Sequence, residues 1–203
     1  DGDSDMGDSH SMIVGLTGSF GSGKSTVSNC FEEFGARIVD SDQSVRAIYE
    51  DNTDFLSDLR ERFGDSIFDV SGKVDRKALG NKVFSDSNEL KWLEGKLHPL
   101  VRDHRIKLVS EAPESLWIVE IPLLFEKNLE KDMDRSISVV SSYSLRVTRL
   151  KNRGFSPDEV KKRSSLQLPQ TQKISRADFV ISNDGSFEFL RRQVKLLFNQ
   201  LSN

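Results

Sequence analysis

An α/β fold, in which helices flank a parallel sheet of five strands, is predicted by two features of the sequence. The first is an apolar run, MIVGLT (12–17), that is followed by an amphipathic helical pattern and a second apolar run, ARIVD (36–40). This strand–helix–strand order favours parallel strands. The second is the return of short apolar runs later in the chain: LWIVEI (116–121), SISVVS (136–141) and FVISN (179–183). Such runs are typical of buried strands.

The first predicted helix spans residues 24–34. Its apolar residues recur at the spacing of one buried helix face: Val27, Cys30, Phe31 and Phe34. Gly35 follows and is suited to end a helix. After the second strand, Ser41 or Asp42 can cap a further helix that runs through Tyr49.

Residues 52–112 contain no strand signal and predict an inserted helical subdomain. DFLSDLRERF (54–63) and KALGNKVF (77–84) have helical patterns and are separated by a turn. A long helix is predicted over 87–112, with a bend where Pro99 removes a backbone donor. The remaining core is then expected at about 12–50 and 114–203, so that residues 12–203 form one domain.

The last part of the chain predicts three more helices, over 143–152, 157–166 and 186–201. The sequence GFSP (154–157) separates the first two, and its glycine and proline favour a hinge. A hinge there would allow residues of about 146–170 to move as a lid, for which the arginines described below give the reason.

The composition is that of a globular domain with no charge bias towards nucleic acid or membranes. The net charge of the chain is −3, and residues 1–11, with four Asp and no Lys or Arg, carry −4 of it, so the remainder carries +1. We read residues 1–11 as a disordered acidic tail or a cloning remnant, with Met12 beginning the native fold. The single cysteine, Cys30, cannot form an internal disulfide, which suits a reducing cytoplasm.

The segment GSFGSGKS (18–25) matches the phosphate-binding pattern of Gly, four residues, Gly-Lys-[Ser/Thr], and it lies between a predicted strand and a predicted helix. Glycines allow successive N–H groups to surround an oxyanion, and the helix N-terminus adds partial positive charge. Lys24 supplies a full charge for the outer phosphates of ATP and Ser25 a hydroxyl for Mg²⁺. The expected nucleotide contacts are Gly18, Ser19, Phe20, Gly21, Ser22, Gly23, Lys24, Ser25 and Thr26. The alternative is a flexible turn before a helix.

Two acids, Asp40 and Asp42, follow the second predicted strand in the sequence VDSD. Ligands of parallel sheets bind at the carboxyl ends of the strands, so a carboxylate there can accept a proton from an attacking hydroxyl. The alternatives are that either acid caps the next helix, or that Asp42 pairs with Arg46 one turn on. A third acid, Glu120, ends the strand LWIVE and could reach the Mg²⁺ shell through water.

Three arginines, Arg146, Arg149 and Arg153, have a spacing that places them on one helix face just before the predicted hinge. Such a face suits a lid that closes over a triphosphate. The alternative is a solvated basic face. No Asn-Lys-x-Asp run for guanine recognition is present, which disfavours a GTPase.

Several segments occur in the order found in dephospho-CoA kinases, and together they cover nearly all of residues 12–200. They are LTGSFGSGKST, RIVDSDQSVR, KLHPLVR, EIPLLFE, VTRLKNRG and ADFVISNDG. The chain resembles that family, whose fold is a P-loop kinase domain with a helical acceptor-binding subdomain and a lid. The resemblance implies phosphorylation by ATP of the ribose 3′-hydroxyl of dephospho-CoA, the last step of coenzyme A synthesis.

The resemblance also implies roles for individual residues. Asp42 matches the base, Lys24 the phosphate-binding lysine and Arg149 the lid arginine, with Arg153 assisting. Asn183, with Gly185, matches a segment near the adenine of ATP. The residues that match the substrate-binding positions are Thr17, Asp42, Arg46, His98, Pro99, Leu123, Leu124 and Phe125.

The chain departs from the family pattern in the loop and at the end of one strand. The family commonly has Gly-Gly-Ile-Gly in the loop, and Ser19 and Phe20 stand in the middle of that run here. Glu120 stands where an Asp is frequent. The alternatives that stay open are a kinase for another alcohol or nucleotide, and a nucleotide-binding regulatory switch. The sequence does not indicate an oligomeric state.

Overall fold

The computed structural model describes residues 11–202 and contains the predicted parallel sheet. The strands are β1 (Met12–Gly18), β2 (Arg37–Asp40), β3 (Leu116–Glu120), β4 (Arg135–Val140) and β5 (Phe179–Ser182). They form one five-stranded sheet in the order β2-β3-β1-β4-β5, and all neighbouring strands are parallel. The predicted α/β fold is therefore confirmed. Of the predicted tail, residues 1–10 lie outside the described residues, and Ser11 is buried.

Within residues 11–202 the helices fall at the predicted sites, with one addition. They are α1 (Lys24–Glu33), α2 (Ser41–Asp51), α3 (Thr53–Phe63), α4 (Arg76–Phe84), α5 (Ser87–Ser110), α6 (Tyr143–Asn152), α7 (Pro157–Ser165), α8 (Gln170–Arg176) and α9 (Phe187–Leu201). Short 3₁₀ segments cover Asp65–Ile67 and Leu129–Asp132. The additional helix is α8, which is too short to display a helical apolar pattern. None of these helices is long and apolar enough to cross a bilayer.

The central strand β1 is paired on both sides, with β3 and with β4. A strand at the centre of a parallel sheet is also covered by helices on both faces. This position explains why the strand is an uninterrupted apolar run. The core of this unit is formed by strand residues and by the inner faces of α1 and α9, including Val14, Leu16, Phe31, Ile118, Ile137, Val139, Val194 and Leu197. Cys30 is buried in the same core.

The chain divides into two compact units, one that contains the sheet and one formed by Ser41–Glu111. The second unit is helical and has its own core, which includes Ile48, Phe55, Leu59, Phe63, Ile67, Leu79, Val83 and Leu93. Helix α2 belongs to this unit because Ile48 is part of that core, and so the unit begins earlier than residue 52. Pro99 lies within α5, which continues through it as one helix.

Candidate active site

The phosphate-binding sequence forms a loop between β1 and α1. Its backbone turns tightly, with Ser22 N donating to Ser19 O at 3.0 Å. Gly21 and Gly23 have φ angles of 83° and 93°, a region that favours glycine. Among the described residues the non-glycine positions with positive φ are Glu114 and Asn128, so Ser19 replaces the family's glycine without entering that region.

Side chains from distant parts of the chain hold the loop in place. The amide of Asn183 donates to Ser22 O at 2.8 Å, and Gln167 Oε1 accepts from Phe20 N at 2.8 Å. A Cβ added at Gly23 would overlap the Asn183 amide, and one added at Gly18 would lie 2.6 Å from Val139 O. The loop therefore packs closely against β4 and against the residue that follows β5.

The first turn of α1 opens towards the loop. Gly23 occupies the N-cap position and has no side chain to cover the first N–H groups of the helix, and the first turn carries no acidic residue. Lys24 Nζ donates to Gly18 O at 3.0 Å, so the ammonium lies against the loop. Ser25 and Thr26 are exposed. A helix N-terminus without a side-chain cap and an ammonium beside it together make a site for an anion.

Two carboxylates meet at the carboxyl edge of the sheet. Asp40 and Glu120 are register partners at the ends of β2 and β3, and both are half-buried. Glu120 is also the register partner of Leu16, which precedes the loop on β1. Asp42 lies in the first turn of α2 and is exposed, as is Arg46 one turn later. The backbone of Asp42 thus follows directly on the edge that carries the other two acids.

The predicted lid arginines differ in their surroundings. Arg149 donates to Ser141 Oγ at 2.9 Å and to Asn183 O at 2.6 Å, and Arg146 donates to Ser141 O at 3.2 Å. Burial lowers the pKa of Arg146. These two guanidinium groups therefore lie on the ends of β4 and β5, which argues against a fully solvated basic face. Arg153, by contrast, is exposed.

Aromatic rings connect the loop to the segment after α6. Phe20 and Phe155 pack edge to face with their centroids 5.1 Å apart. The guanidinium of Arg163 lies 5.2 Å from the Phe20 ring centre and 5.0 Å from that of Phe155. Such cation–π contacts stabilise surface sites modestly. Phe20, which with Ser19 departs from the family pattern in the loop, thus contacts both α7 and the predicted hinge.

The segment after β3 is mostly buried. Leu124 and Phe125 are almost completely buried, whereas Leu123 is half-buried. Thr17 is also buried, and its hydroxyl donates to Pro122 O at 3.1 Å. These positions bring Thr17 and the segment together at the end of β1, and Leu123 is the least buried of the three apolar residues.

Sequence reasoning missed Lys173, which lies on α8 and has no exposed side-chain surface. Its ammonium pairs with Glu126 Oε1 at 2.8 Å and donates to Pro122 O at 2.9 Å. Burial lowers the pKa of Lys173, and the bond to Glu126 opposes that shift. In the sequence, a single lysine near a segment without apolar periodicity resembles a surface residue. No local signal therefore identifies Lys173 as buried.

The remaining predicted contacts lie in the helical unit. His98 and Pro99 are exposed on α5, and Leu100 packs against the core of the unit. A hydrogen bond of 3.1 Å between His104 Nδ1 and Ser44 Oγ joins α5 to α2.

Comparisons with known proteins match nearly the whole described chain. A family model described as dephospho-CoA kinase matches residues 12–188. The chain is 35% identical over 190 residues to a dephospho-CoA kinase of Aquifex aeolicus, covering 93% of this chain and 97% of that protein. It also resembles the crystal structure of TT1252 from Thermus thermophilus, with 37% identity and a TM-score of 0.84 over 96% of this chain and 100% of that one.

More distant structures share the architecture alone. A shikimate kinase from Acinetobacter baumannii aligns with a TM-score of 0.51 at 14% identity, covering 95% of this chain and 94% of that chain. That alignment supports a P-loop kinase fold. The relatives of higher sequence identity described above narrow the assignment from this fold to one family. The chain belongs to the dephospho-CoA kinase family.

Proposed function

We propose that this protein transfers the γ-phosphoryl group of ATP to the ribose 3′-hydroxyl of dephospho-CoA, giving coenzyme A and ADP. The observation that carries the proposal is the glycine loop between β1 and α1, with Lys24 against it, in a chain of this family. The reaction forms a bond between the 3′-oxygen and phosphorus and breaks the bond between phosphorus and the bridging oxygen of ADP. It is the final step of coenzyme A synthesis.

The donor end of the site is built from backbone groups and one lysine. The N–H groups at the start of α1 and in residues 18–26 would bind the β- and γ-phosphates. The Lys24 ammonium would move from Gly18 O, 3.0 Å away, to the phosphate oxygens. Because this loop is already held by Asn183 and Gln167, little conformational entropy remains to be lost on binding.

The residues present fit a magnesium ion bound together with the nucleotide. The exposed hydroxyl of Ser25 is an oxygen ligand at the first turn of α1. The described residues contain no group of three or more His, Cys, Asp or Glu that could hold a metal by themselves. Mg²⁺ commonly takes few protein ligands and completes its shell with phosphate and water. When bound, the ion would neutralise phosphate charge, with Ser25 as ligand and Glu120 and Asp40 on neighbouring strand ends able to hold its waters.

Asp42 is the general base in this proposal. It lies in the first turn of the helix that follows β2, and an exposed carboxylate there can orient the 3′-hydroxyl and accept its proton.

Arg149 would stabilise the charge that spreads over the transferred phosphoryl oxygens, after exchanging its bonds to Ser141 and Asn183 O for bonds to the phosphate. Arg153, exposed at the end of α6, would assist. Closure of residues 146–170 as a lid would exclude water, which competes as acceptor.

The resemblance assigns acceptor contacts to residues of each unit. In the helical unit the candidates are Arg46, His98 and Pro99, which are all exposed. In the sheet unit Leu123 is the accessible candidate, and Leu124, Phe125 and Thr17 would shape the site from beneath it. We place the reaction in the cytoplasm, where the single buried Cys30 stays reduced.

The test is ADP formation with ATP and Mg²⁺ in the presence of a panel of acceptors: dephospho-CoA, nucleosides, nucleotides and shikimate. The proposal expects ADP formation that depends on dephospho-CoA. Turnover with another acceptor would assign a different kinase activity. ADP formation that is equal with and without acceptors would instead favour a nucleotide-hydrolysing switch.

A further inference from the structure

The segment from Gln167 to Lys173 contacts the ends of three strands and the phosphate loop. Gln167 accepts from Phe20 N, and Leu168 N donates to Glu126 at 3.0 Å. Gln170 Oε1 accepts from Ser141 N, just after β4, at 3.1 Å. Lys173 reaches Thr17 near the end of β1 and Pro122 after β3. This short segment thus makes polar contacts with the loop and with the ends of these strands.

The ammonium of Lys173 is the most deeply buried of these anchors. Its side chain is 0% exposed, and that of its partner Glu126 is 11% exposed. Its acceptors are Glu126 Oε1 at 2.8 Å, Pro122 O at 2.9 Å and Thr17 Oγ1 at 3.5 Å. Three donors therefore have three acceptors. A buried charge persists only when it is paired and hydrogen-bonded, so this arrangement tolerates little displacement of any partner.

Two of those acceptors adjoin groups that the proposed transfer uses. Thr17 is followed by Gly18, the first residue of the loop, whose carbonyl accepts from Lys24. Pro122 lies two residues beyond Glu120 and also accepts from the Thr17 hydroxyl. Through its contacts with Thr17 and Pro122, the ammonium consequently links the start of the loop to the end of β3, the strand that ends in Glu120.

We infer that Lys173, with Glu126, is a positioning residue for phosphoryl transfer: the buried pair fixes the ends of β1 and β3 relative to each other beside the phosphate loop. This inference rests on the proposed function. Lys173 contacts Thr17 and Pro122 and not the loop N–H groups that bind the nucleotide. Its loss should therefore alter alignment for transfer more than nucleotide affinity, and small misalignments reduce rates strongly.

The experiment compares Lys173→Met, Glu126→Gln and the double variant with the wild type and with Lys195→Met, a change at an exposed lysine on α9. Lys173→Met leaves the Glu126 charge buried and unpaired, so it should lower both the melting temperature and kcat. The double variant removes that charge and should recover much of the melting temperature. Its kcat should stay roughly 10- to 100-fold below the wild type with the KM for ATP changed less than about threefold. Glu126→Gln alone keeps an acceptor for Lys173 and for Leu168 N but leaves the buried ammonium without its counter-charge, so it should lower the melting temperature while losing less activity than Lys173→Met.

Recovery of kcat together with the melting temperature in the double variant would overturn the inference, since the pair would then only stabilise the fold. Equal losses in kcat and in ATP affinity would also overturn it. Amide hydrogen exchange gives a readout that needs no acceptor: exchange of Thr17–Gly23 should be faster in the double variant than in Lys195→Met. Unchanged exchange in that segment would contradict the inference, whatever the turnover of the wild type. Absence of turnover with dephospho-CoA in the wild type would instead contradict the proposed function.

Discussion

Gly23 is placed so that its missing side chain leaves room for the amide of Asn183, which donates to Ser22 O. The glycine pattern in the sequence predicts a phosphate loop at this place because the motif is local. The supporting amide could not be predicted, since Asn183 and Ser22 are separated by 161 residues. The resemblance implies a position near adenine for Asn183, and that stays a prediction.

Replacing Gly23 by Ala should abolish ATP binding. The added Cβ would overlap the Asn183 amide, and an L-residue at a φ of 93° is strained by about 1–2 kcal/mol. Calorimetric titration with ATP and Mg²⁺ measures the effect. The matched control is Gly95→Ala, an exposed helical position where an added Cβ has nothing within 4 Å. Equal affinity in the two variants would mean that the loop geometry does not hold the nucleotide.

Replacing Asp42 by Asn should lower kcat by roughly two to four orders of magnitude while the KM for ATP changes little, because the amide cannot accept the hydroxyl proton. Steady-state kinetics with dephospho-CoA measures both constants. Asp54→Asn is the control, since Asp54 is likewise an exposed acid in the first turn of a helix. Near-full turnover of the Asp42 variant would remove this residue from the role of base.

Replacing Arg149 by Ala should reduce kcat more than ATP affinity, because the guanidinium is expected to act on the charge of the transferred group. The variant also loses two hydrogen bonds at the ends of β4 and β5, so its melting temperature is compared first. Arg192→Ala removes an exposed ion pair on α9 and serves as the control. Proportionate losses of kcat and affinity would restrict Arg149 to ground-state binding.

At the level of helices and strands, apolar periodicity predicts most of the fold. The strands of the sheet and α9 lie within one or two residues of their predicted bounds, because each presents a continuous apolar run or face. Helices α6 and α7 also lie that close to their predicted bounds, although α7 has no buried residue, because GFSP separates them. Helix α8 is the exception. It is held by Lys173 and its buried partners, which are long-range polar contacts that no window of sequence reveals.

The start of α6 depends on Asp184, whose carboxylate accepts from Ser142 N at 2.7 Å and from Ser141 Oγ at 2.9 Å. These bonds, with the nearby positive charge of Arg149, hold the pKa of Asp184 below its ordinary value of 3.8. A lowered pKa gives stability that is complete above pH 3.8 and is lost as the pH falls through the pKa in the folded protein.

The Asp184→Asn variant should therefore differ from the wild type in its acid response. The wild type should lose free energy of unfolding below pH 3.8, and the variant should lack the part of that loss due to this carboxylate. Urea unfolding between neutral pH and pH 3 measures the difference. Parallel curves for the two proteins over that range would show that Asp184 makes no pH-linked contribution.

Across the chain as a whole there are two cores, one in the sheet unit that carries the phosphate loop and one in the helical unit. The helical unit was expected from the absence of strand signals in residues 52–112, but its first helix lies earlier because Ile48 packs into its core. The carboxyl edge of the sheet gathers the loop, Asp40 and Glu120 as the strand order requires. Asp42 follows that edge in the chain and belongs to the helical unit.

The most direct measurement incubates the protein with Mg²⁺, dephospho-CoA and ATP that carries radioactive phosphorus in its γ position. It then determines which compound carries the label. In-line transfer from a nucleotide on the Gly18–Thr26 loop predicts that the label appears as a 3′-phosphate on the product, one for each ADP formed, and that Lys24→Ala abolishes it. Label released as inorganic phosphate at the same rate with and without dephospho-CoA would contradict the proposed function.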